Sequence, residues 1–380
     1  MGAYVLGVGK TRFGPSSHPM TRLAHEAILG ALSDANMKIE EIGAFIVANF
    51  LGGPNESQLH LNSVVAGLFP GLHIPGWRVE AACASGGVAI HQAVTMLSAY
   101  DPILVVGVER LSGRPGNELT RNIGMAGDVL LDQSQGLNFP ATYALVAQRH
   151  MQRYGTTTRD FELISLKNHA NAQLNPLAHF HHKPVSQADI DAGATVASPL
   201  RLFDCCPVSD GAAAVIISRE PRDGRSVAII GSGVGTDVIS LAQREDHTSF
   251  AAAKEAARVA YAQAGIIAAD IDLAEVHDCF TIAEIVAMED LGLASPGSAV
   301  ELIRAGETGI GGRMPVNPSG GLKAGGHAIG ATGVGQVYEA VKQLRGEAGE
   351  RQVADAMVAV THNVGGVGGT CAVQVLGRLS

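Results

Sequence analysis

AHEAILGALSDANMKIEEIGAFIV, from Ala24 to Val47, returns later in the chain as AKEAARVAYAQAGIIAADIDLAEV, from Ala253 to Val276. The offset is 253 − 24 = 229 residues, and across it Ala24, Glu26, Ala27, Ala31, Ala35, Ile42 and Val47 meet identical residues. Each copy carries apolar residues at helical spacing, then a turn, then a short apolar strand. A second pair follows the first. SGGVAIHQAVTML, from Ser85, is similar to TGVGQVYEAVKQL, from Thr332. Each leads through a short break into an apolar strand, ILVVGV at Ile103 and AMVAVT at Ala356.

Two such pairs in the same order indicate a duplicated α/β unit. Helices alternate with strands, so the expected fold is α/β, with mostly parallel mixed sheets packed between helices. The halves are placed at residues 1–225 and 226–380. The first is longer, and its excess is assigned to an inserted loop region at about Gly113 to Pro199, rich in Asn, Gln, His and polar turns. Long insertions on a rigid scaffold commonly bind substrate.

Composition narrows the function classes. Hydrophobic residues make up 46% of the 380 and charged residues 17%, enough for a large core and too little charge for a disordered chain. The formal net charge of −9 argues against a broad nucleic-acid surface. No apolar run has the length and freedom from Gly and charge to span a bilayer. The start, MGAYVLGVGKTRFG, reads as a strand and a turn rather than a secretory leader, and the end, GRLS, is not a peroxisomal address. The five cysteines form no C-x-x-C pair and are odd in number, so a reducing cytoplasm is the expected setting.

Four segments carry candidate chemistry. In RVEAACASGGVAIHQAV, a strand ends near Ala81–Ala82, Cys83 sits on the turn, and a helix follows. A thiol at a helix N-terminus meets unpaired N–H groups and the positive end of the dipole. These favour thiolate and could hold an acyl oxyanion. The alternative is a buried structural thiol. In EVHDCFTIAEIVAMEDLGL, His277 and Cys279 are two apart and face one side of an extended segment. Asp278 points away and is a candidate cap for the helix that follows; here too an inert thiol is an open alternative. NPSGGLKAGGHAIGATGVGQ sets His327 in a loop whose glycines imply close backbone approach. The loop lacks the phosphate-cradling G-x-x-x-x-G-K-[ST] spacing. In VTHNVGGVGGTCAVQVL, His362 and Asn363 end a strand, and the glycines after them either form a tight hairpin or supply oxyanion-holding amides.

Together these segments resemble the thiolase superfamily, in family order and over nearly the whole chain. Cys83 matches the nucleophile segment, and the run from Gly326 to Gly333 matches G-H-x-x-G-A-T-G. DGAAA, from Asp210 to Ala214, resembles the motif near the end of the first half. Where many thiolases read Asn-Glu-Ala-Phe, this chain reads His277-Asp278-Cys279-Phe280. Where they carry Cys-x-Gly it reads Asn363-Val364-Gly365. That combination is similar to the sterol-carrier-protein type of thiolase, although no sterol-carrier domain is expected here. One position departs: the usual Gly-His-Pro is Gly326-His327-Ala328, which should loosen the loop.

The resemblance implies an acetyl-CoA C-acyltransferase that makes or cleaves 3-ketoacyl-CoA. It assigns Cys83 as nucleophile, His327 as its general base and Cys279 as the base for the α-proton. His277 would orient a water on the enolate oxygen, and the amides of Cys83 and Gly365 would hold the other oxyanion. It implies coenzyme A thioesters as substrates, no bound cofactor, no metal, and a homodimer or homotetramer. A metal reading of His169, His179, His181 and His182 is set aside because adjacent histidines do not readily face one ion. Cys205 and Cys206 are either core residues or lining of the pantetheine tunnel. The competing enzyme reading keeps the fold but makes the chain a carbon–carbon lyase or acyltransferase acting with a small OB-fold partner. The non-enzymatic reading is a thiolase-like scaffold or lipid-binding subunit.

Overall fold

The computed structural model describes residues 2–379. Eleven strands are described: β1 (Tyr4–Lys10), β2 (Ala44–Ala48), β3 (Gly76–Val79), β4 (Ile103–Glu109), β5 (Thr195–Ala197), β6 (Leu200–Arg201), β7 (Gly211–Ser218), β8 (Val227–Thr236), β9 (Leu273–Glu275), β10 (Val358–Gly365) and β11 (Thr370–Arg378). Nine join in one sheet, in the order β3-β2-β4-β7-β1-β8-β11-β10-β9, while β5 and β6 form a separate ribbon.

That order contains the duplication. The first half reads β2-β4-β7-β1 and the second β9-β10-β11-β8, so the halves present equivalent strands in equivalent places. They meet where β1 lies antiparallel to β8, through Tyr4 opposite Ala228 and Val5 opposite Val227. The repeated sequence forms helix Met20–Asp34 before β2 and helix Ala251–Ala264 before β9.

The alanines shared by the two copies have a packing reason. A Cβ added to Gly7 would stand 2.3 Å from the Ala31 carbonyl oxygen, and one added to Gly9 would stand 2.2 Å from that of Ala27. In the second half, Gly231 and Gly233 would meet the carbonyls of Ala260 and Ala256, each at 2.1 Å. Ala260 and Ala256 are Ala31 and Ala27 carried along by 229 residues. Glycine on the strand and alanine on the helix let the two backbones touch, and a larger residue at either place would force them apart.

The mostly parallel pairing expected from alternating helices and strands is corrected. Parallel neighbours are β2 with β3, β2 with β4, and β9 with β10; the other five pairs are antiparallel. The helix-linked strands do run in one direction within each half, as crossover connections require. One reversed strand, β7 in the first half and β11 in the second, wedges between two of them and makes its neighbours antiparallel. The inserted region is likewise not mainly loop. It holds two 16-residue helices, Phe139–Tyr154 and Thr158–Gln173. Asn138 caps the first by accepting from the Ala141 N–H at 3.0 Å, and Gly155 ends it in a left-handed conformation. Tyr143, Val146, Phe161 and Ile164 of this region pack with Phe280, Ile282, Ile285 and Val286 of the second half. The insertion therefore roofs the segment that follows β9.

The two central helices, Ser85–Met96 and Thr332–Leu344, cross backbone to backbone. A Cβ on Gly86 would lie 2.8 Å from the Gly333 nitrogen, and one on Gly333 would lie 2.2 Å from the Gly87 nitrogen. Their N-termini are thus drawn together between the halves. Among the described residues, no helix is long and apolar enough to cross a membrane.

Candidate active site

Cys83 stands two residues before helix Ser85–Met96, beyond a short break after β3. Ala82 has φ of +50°, an uncommon state for a residue with a Cβ. The Ser85 hydroxyl holds the turn, accepting from the Ala81 N–H at 2.9 Å and donating to the Ala82 carbonyl at 2.6 Å. The Asn363 side chain ties it to the second half: its Nδ2 donates to the Cys83 carbonyl at 2.9 Å, and its Oδ1 accepts from the Gly87 N–H at 2.9 Å.

A thiolate was expected at this helix end. Burial instead pushes the Cys83 thiol up to about 12, outweighing the opposing pull of the Gly366 and Cys83 amides. The resting thiol is protonated, and to act as a nucleophile it would need a base. Two imidazoles stand beside it. The Cys83 sulfur and one ring nitrogen each from His277 and His327 lie within 4.8 Å of one another, all buried. The His327 and His277 rings meet edge to face, 5.1 Å apart at 88°. Burial drives His327 down to about 3, so it rests neutral. Its Nδ1 pairs with the Thr332 hydroxyl at 2.7 Å, which leaves Nε2 for the cavity. His277 is also held neutral, by burial first and then by His327 and His362. Its Nδ1 lies 3.3 Å from Asn363 Nδ2, and its buried Nε2 has no hydrogen-bond partner. Such a trio could ligate a divalent metal, but the sequence implied none, and the chemistry proposed below uses none.

Cys83, His327 and Cys279 line one cavity of about 310 Å³ with Tyr143, Cys205, Cys206 and the apolar side chains of Leu111, Ile123, Phe139, Leu202 and Val208. Cys279 is held protonated by burial and by the neighbouring Cys206 and Cys83. Cys206 lies across from it, donating its N–H to the Cys279 carbonyl at 2.9 Å. Asp278 faces away, as the alternation along the segment requires, but it does not cap the helix that follows it. That helix starts after Phe280 with no side-chain cap. Asp278 instead accepts from the Leu322 and Lys323 amides at 2.6 and 3.2 Å, and from Asn168 Nδ2 at 2.7 Å. It caps the short helix Gly321–Gly325 just before His327, and so sets the two histidine segments against each other.

The remaining sequence candidates divide. Gly365 packs against the nucleophile turn, where a Cβ would stand 2.5 Å from the Ala81 carbonyl oxygen. The amide that faces the Cys83 sulfur from this loop is that of Gly366, one residue further on. His362 lies behind the site, its Nδ1 3.5 Å from the His277 backbone nitrogen and its Nε2 3.3 Å from Cys371 Sγ. His169 pairs with Lys323 and His179 with Ser209, while the His181 and His182 rings lie against each other. Three residues not singled out from the sequence also border these side chains: Tyr143 from the insertion, Thr332 behind His327, and Asn168 behind Asp278. Only Thr332 had a visible signal, as the Thr of G-A-T-G.

Residues 3–221 match the family model of the thiolase N-terminal domain, and residues 233–378 that of the thiolase C-terminal domain. The chain belongs to the thiolase family. It is 43% identical to an acetyl-CoA acetyltransferase of Methanothermobacter thermautotrophicus, over 98% of this chain and 99% of that one. It is 34% identical to human sterol carrier protein 2, over 98% of this chain and 71% of that protein. The solved structure of an Ltp2-ChsH2(DUF35) aldolase superposes with a TM-score of 0.85 at 24% identity, over 99% of this chain and 98% of that one.

Proposed function

We propose that this chain is a thiolase in the strict sense, an acetyl-CoA C-acyltransferase that forms or cleaves 3-ketoacyl-CoA through an acyl-Cys83 intermediate. The observation that carries this reading is the trio of Cys83, His277 and His327 within 4.8 Å, of which Cys83 and His327 line the same cavity as Cys279. Two thiols and one neutral imidazole on a largely apolar cavity, with a second neutral imidazole beside them, suit a reaction that moves protons between sulfur, nitrogen and carbon.

The protons balance in two half-reactions. His327 takes the Cys83 proton as the sulfur attacks an acyl-CoA thioester. His327 passes that proton to the departing coenzyme A sulfur and then, neutral again, takes the Cys279 proton, leaving a Cys279 thiolate and a His327 imidazolium on one cavity. That thiolate removes the α-proton of a second acyl-CoA. The carbanion attacks acyl-Cys83, and the freed Cys83 sulfur takes a proton from His327. The unpartnered His277 Nε2 is available to a water on the enolate oxygen. In this reading the amides of Cys83 and Gly366 hold the tetrahedral oxyanion, each such donor being worth ~3 kcal/mol of barrier. Acetoacetyl-CoA cleavage by the purified chain, with mass-spectrometric mapping of acetyl groups after acetyl-CoA treatment, tests the reading. Turnover with acetyl on Cys83 supports it; acetyl elsewhere with Cys83 free rejects it.

We further propose that the halves divide near residue 225, in the link between β7 and β8, and that the chain works as a homodimer or homotetramer. A second reading gains support from the cavity rim. There Val196, Leu202 and Val208 are largely exposed. The likeness to an aldolase solved with a DUF35 partner gives that rim a possible cover, a small OB-fold protein under which the chain would act as a lyase or acyltransferase. The assay with and without added partner separates the two.

A further inference from the structure

Among the described residues, Tyr143 is the one hydroxyl-bearing ring on the cavity, and neither the motifs nor the mechanism above uses it. It comes from the insertion, on helix Phe139–Tyr154, and is 1% exposed. Its ring is clamped, stacked on Phe280 at 4.7 Å and 28° and edge-on to Phe250 at 6.3 Å and 83°. Phe280 is the residue next to Cys279, so the clamp fixes the ring relative to that thiol. The hydroxyl donates to the Gly366 carbonyl at 3.1 Å, and the residue lines the same cavity as Cys279. The Gly366 amide in turn faces Cys83. One residue thus stands beside the Cys279 thiol and braces the peptide that faces Cys83.

The rest follows from the acid–base count. With its proton donated to Gly366, the Tyr143 oxygen can accept only from Cys279 S–H, which suits the resting thiol. Between the half-reactions the Cys279 sulfur carries negative charge in a pocket with little other polar surface, where an unpaired charge is costly. Rotation of one O–H bond turns Tyr143 into a donor to that sulfur. We propose that Tyr143 is a positioning residue for carbon–carbon bond formation, switching its hydroxyl from the Gly366 carbonyl to the Cys279 thiolate and thereby setting how readily that sulfur takes an α-proton. The inference rests on the thiolase reading and assigns Tyr143 no part in the first acylation. The other titratable groups facing Cys279 are Cys83, Cys206 and Asp278, and those facing Tyr143 are Cys83, Cys371 and Arg244. None of these is a second hydroxyl donor.

The test is Tyr143→Phe, which keeps the ring and its stack. Three readouts are taken on the intact protein: acetyl uptake by Cys83 from acetyl-CoA in a single turnover, exchange of acetyl-CoA α-protons with D2O, and the pH profile of that exchange. Acetyl uptake should stay within about 2-fold of wild type, while exchange falls about 10- to 100-fold, the usual loss for a hydrogen bond to a charged group. The rising limb of the exchange profile should move to higher pH, because the thiolate has lost its donor. A purely structural role would lower both steps together and leave the profile in place. That result, or wild-type exchange with an unmoved profile, overturns the proposal. If Tyr143→Phe unfolds, Phe280→Leu, which loosens the clamp but keeps the hydroxyl, should move the same exchange limb, and an unmoved limb overturns it. Wild-type protein that acetylates Cys83 yet shows no exchange would instead overturn the thiolase reading itself.

Discussion

Asn363 Nδ2 donates to the carbonyl of Cys83 at 2.9 Å, across 280 residues of chain. The same side chain accepts from the Gly87 N–H, and its Nδ2 lies 3.3 Å from His277 Nδ1. At the position where many thiolases carry their second cysteine, this chain has an amide that joins the nucleophile turn, the helix behind it and one of the two histidines.

Asn363→Ala should therefore damage both fold and reaction. It would leave the Gly87 N–H and the Cys83 carbonyl unpaired in a buried place, at a cost of roughly 2–4 kcal/mol. Thermal unfolding should show a lower midpoint. The fraction that stays folded should acetylate Cys83 at least ~10-fold more slowly, since the turn loses its tether. Wild-type stability and acylation would show that the bridge is idle.

The two cysteines should separate by step. Cys279→Ala should still take one acetyl group from acetyl-CoA, on Cys83, but lose α-proton exchange and condensation by ~10²-fold or more. Cys83→Ala should fail at acetyl uptake outright. Full condensing turnover in Cys279→Ala would remove the second-cysteine assignment and favour the lyase reading.

Alkylation should reveal the resting state of Cys83. With its thiol pushed up to about 12 by burial, only about one site in 10⁵ is thiolate at pH 7. Iodoacetamide labelling of Cys83, followed by peptide mapping, should accelerate about tenfold per pH unit from pH 7 to 10, without a plateau. A plateau below pH 9 would mean that His327 and Cys83 rest as an ion pair.

Two buried glutamates should shape stability with opposite signs. Burial favours the acid form of Glu339, but Lys10 and Arg351, each at 2.7 Å, win and hold it at about 2. Its folded value lies below the unfolded ~4.3, so its stabilisation is present above that pH and is lost as pH falls towards 2. Glu275 is pushed up to about 8, by burial first and by Glu339 second. Its stabilisation is present below ~4.3 and is lost as pH rises through 8. Glu339→Gln should cost stability at pH 7, with a shallower loss between pH 5 and 2. Glu275→Gln should flatten the decline from pH 5 to 9. Unfolding midpoints across pH 2–9 check both, and a wild-type slope in either variant counts against its assignment.

Part of this was legible in the chain alone. The duplication could be read because each half needs the same helix-on-strand contact, which only glycine and alanine permit, so Ala27 and Ala31 recur as Ala256 and Ala260. Cys83, His277, Cys279 and His327 could be singled out because each sits by a strand end or helix start, where glycines or a local alternation mark the chain. Local rules failed wherever the answer depended on a distant segment. Asp278 has the look of a cap for its own helix, yet caps Gly321–Gly325, because the two segments meet only after folding.

What the sequence by itself determined was the repeat, the thiolase resemblance and the short list of reactive side chains, all of which follow from residue identity and spacing along one stretch. The tertiary structure decided which groups face one another. Strands β7 and β11 wedge between parallel neighbours, and no local pattern records that direction. Tyr143 joins Cys279 on one cavity only because the insertion folds into helices that roof the second half, and Gly366 rather than Gly365 turns its amide to Cys83 because of how the loop closes after β10. The protonation states were decided there too. A helix N-terminus argues for thiolate at Cys83, but the depth of burial that folding imposes outweighs it, and burial depth is a property of the packed molecule rather than of any segment.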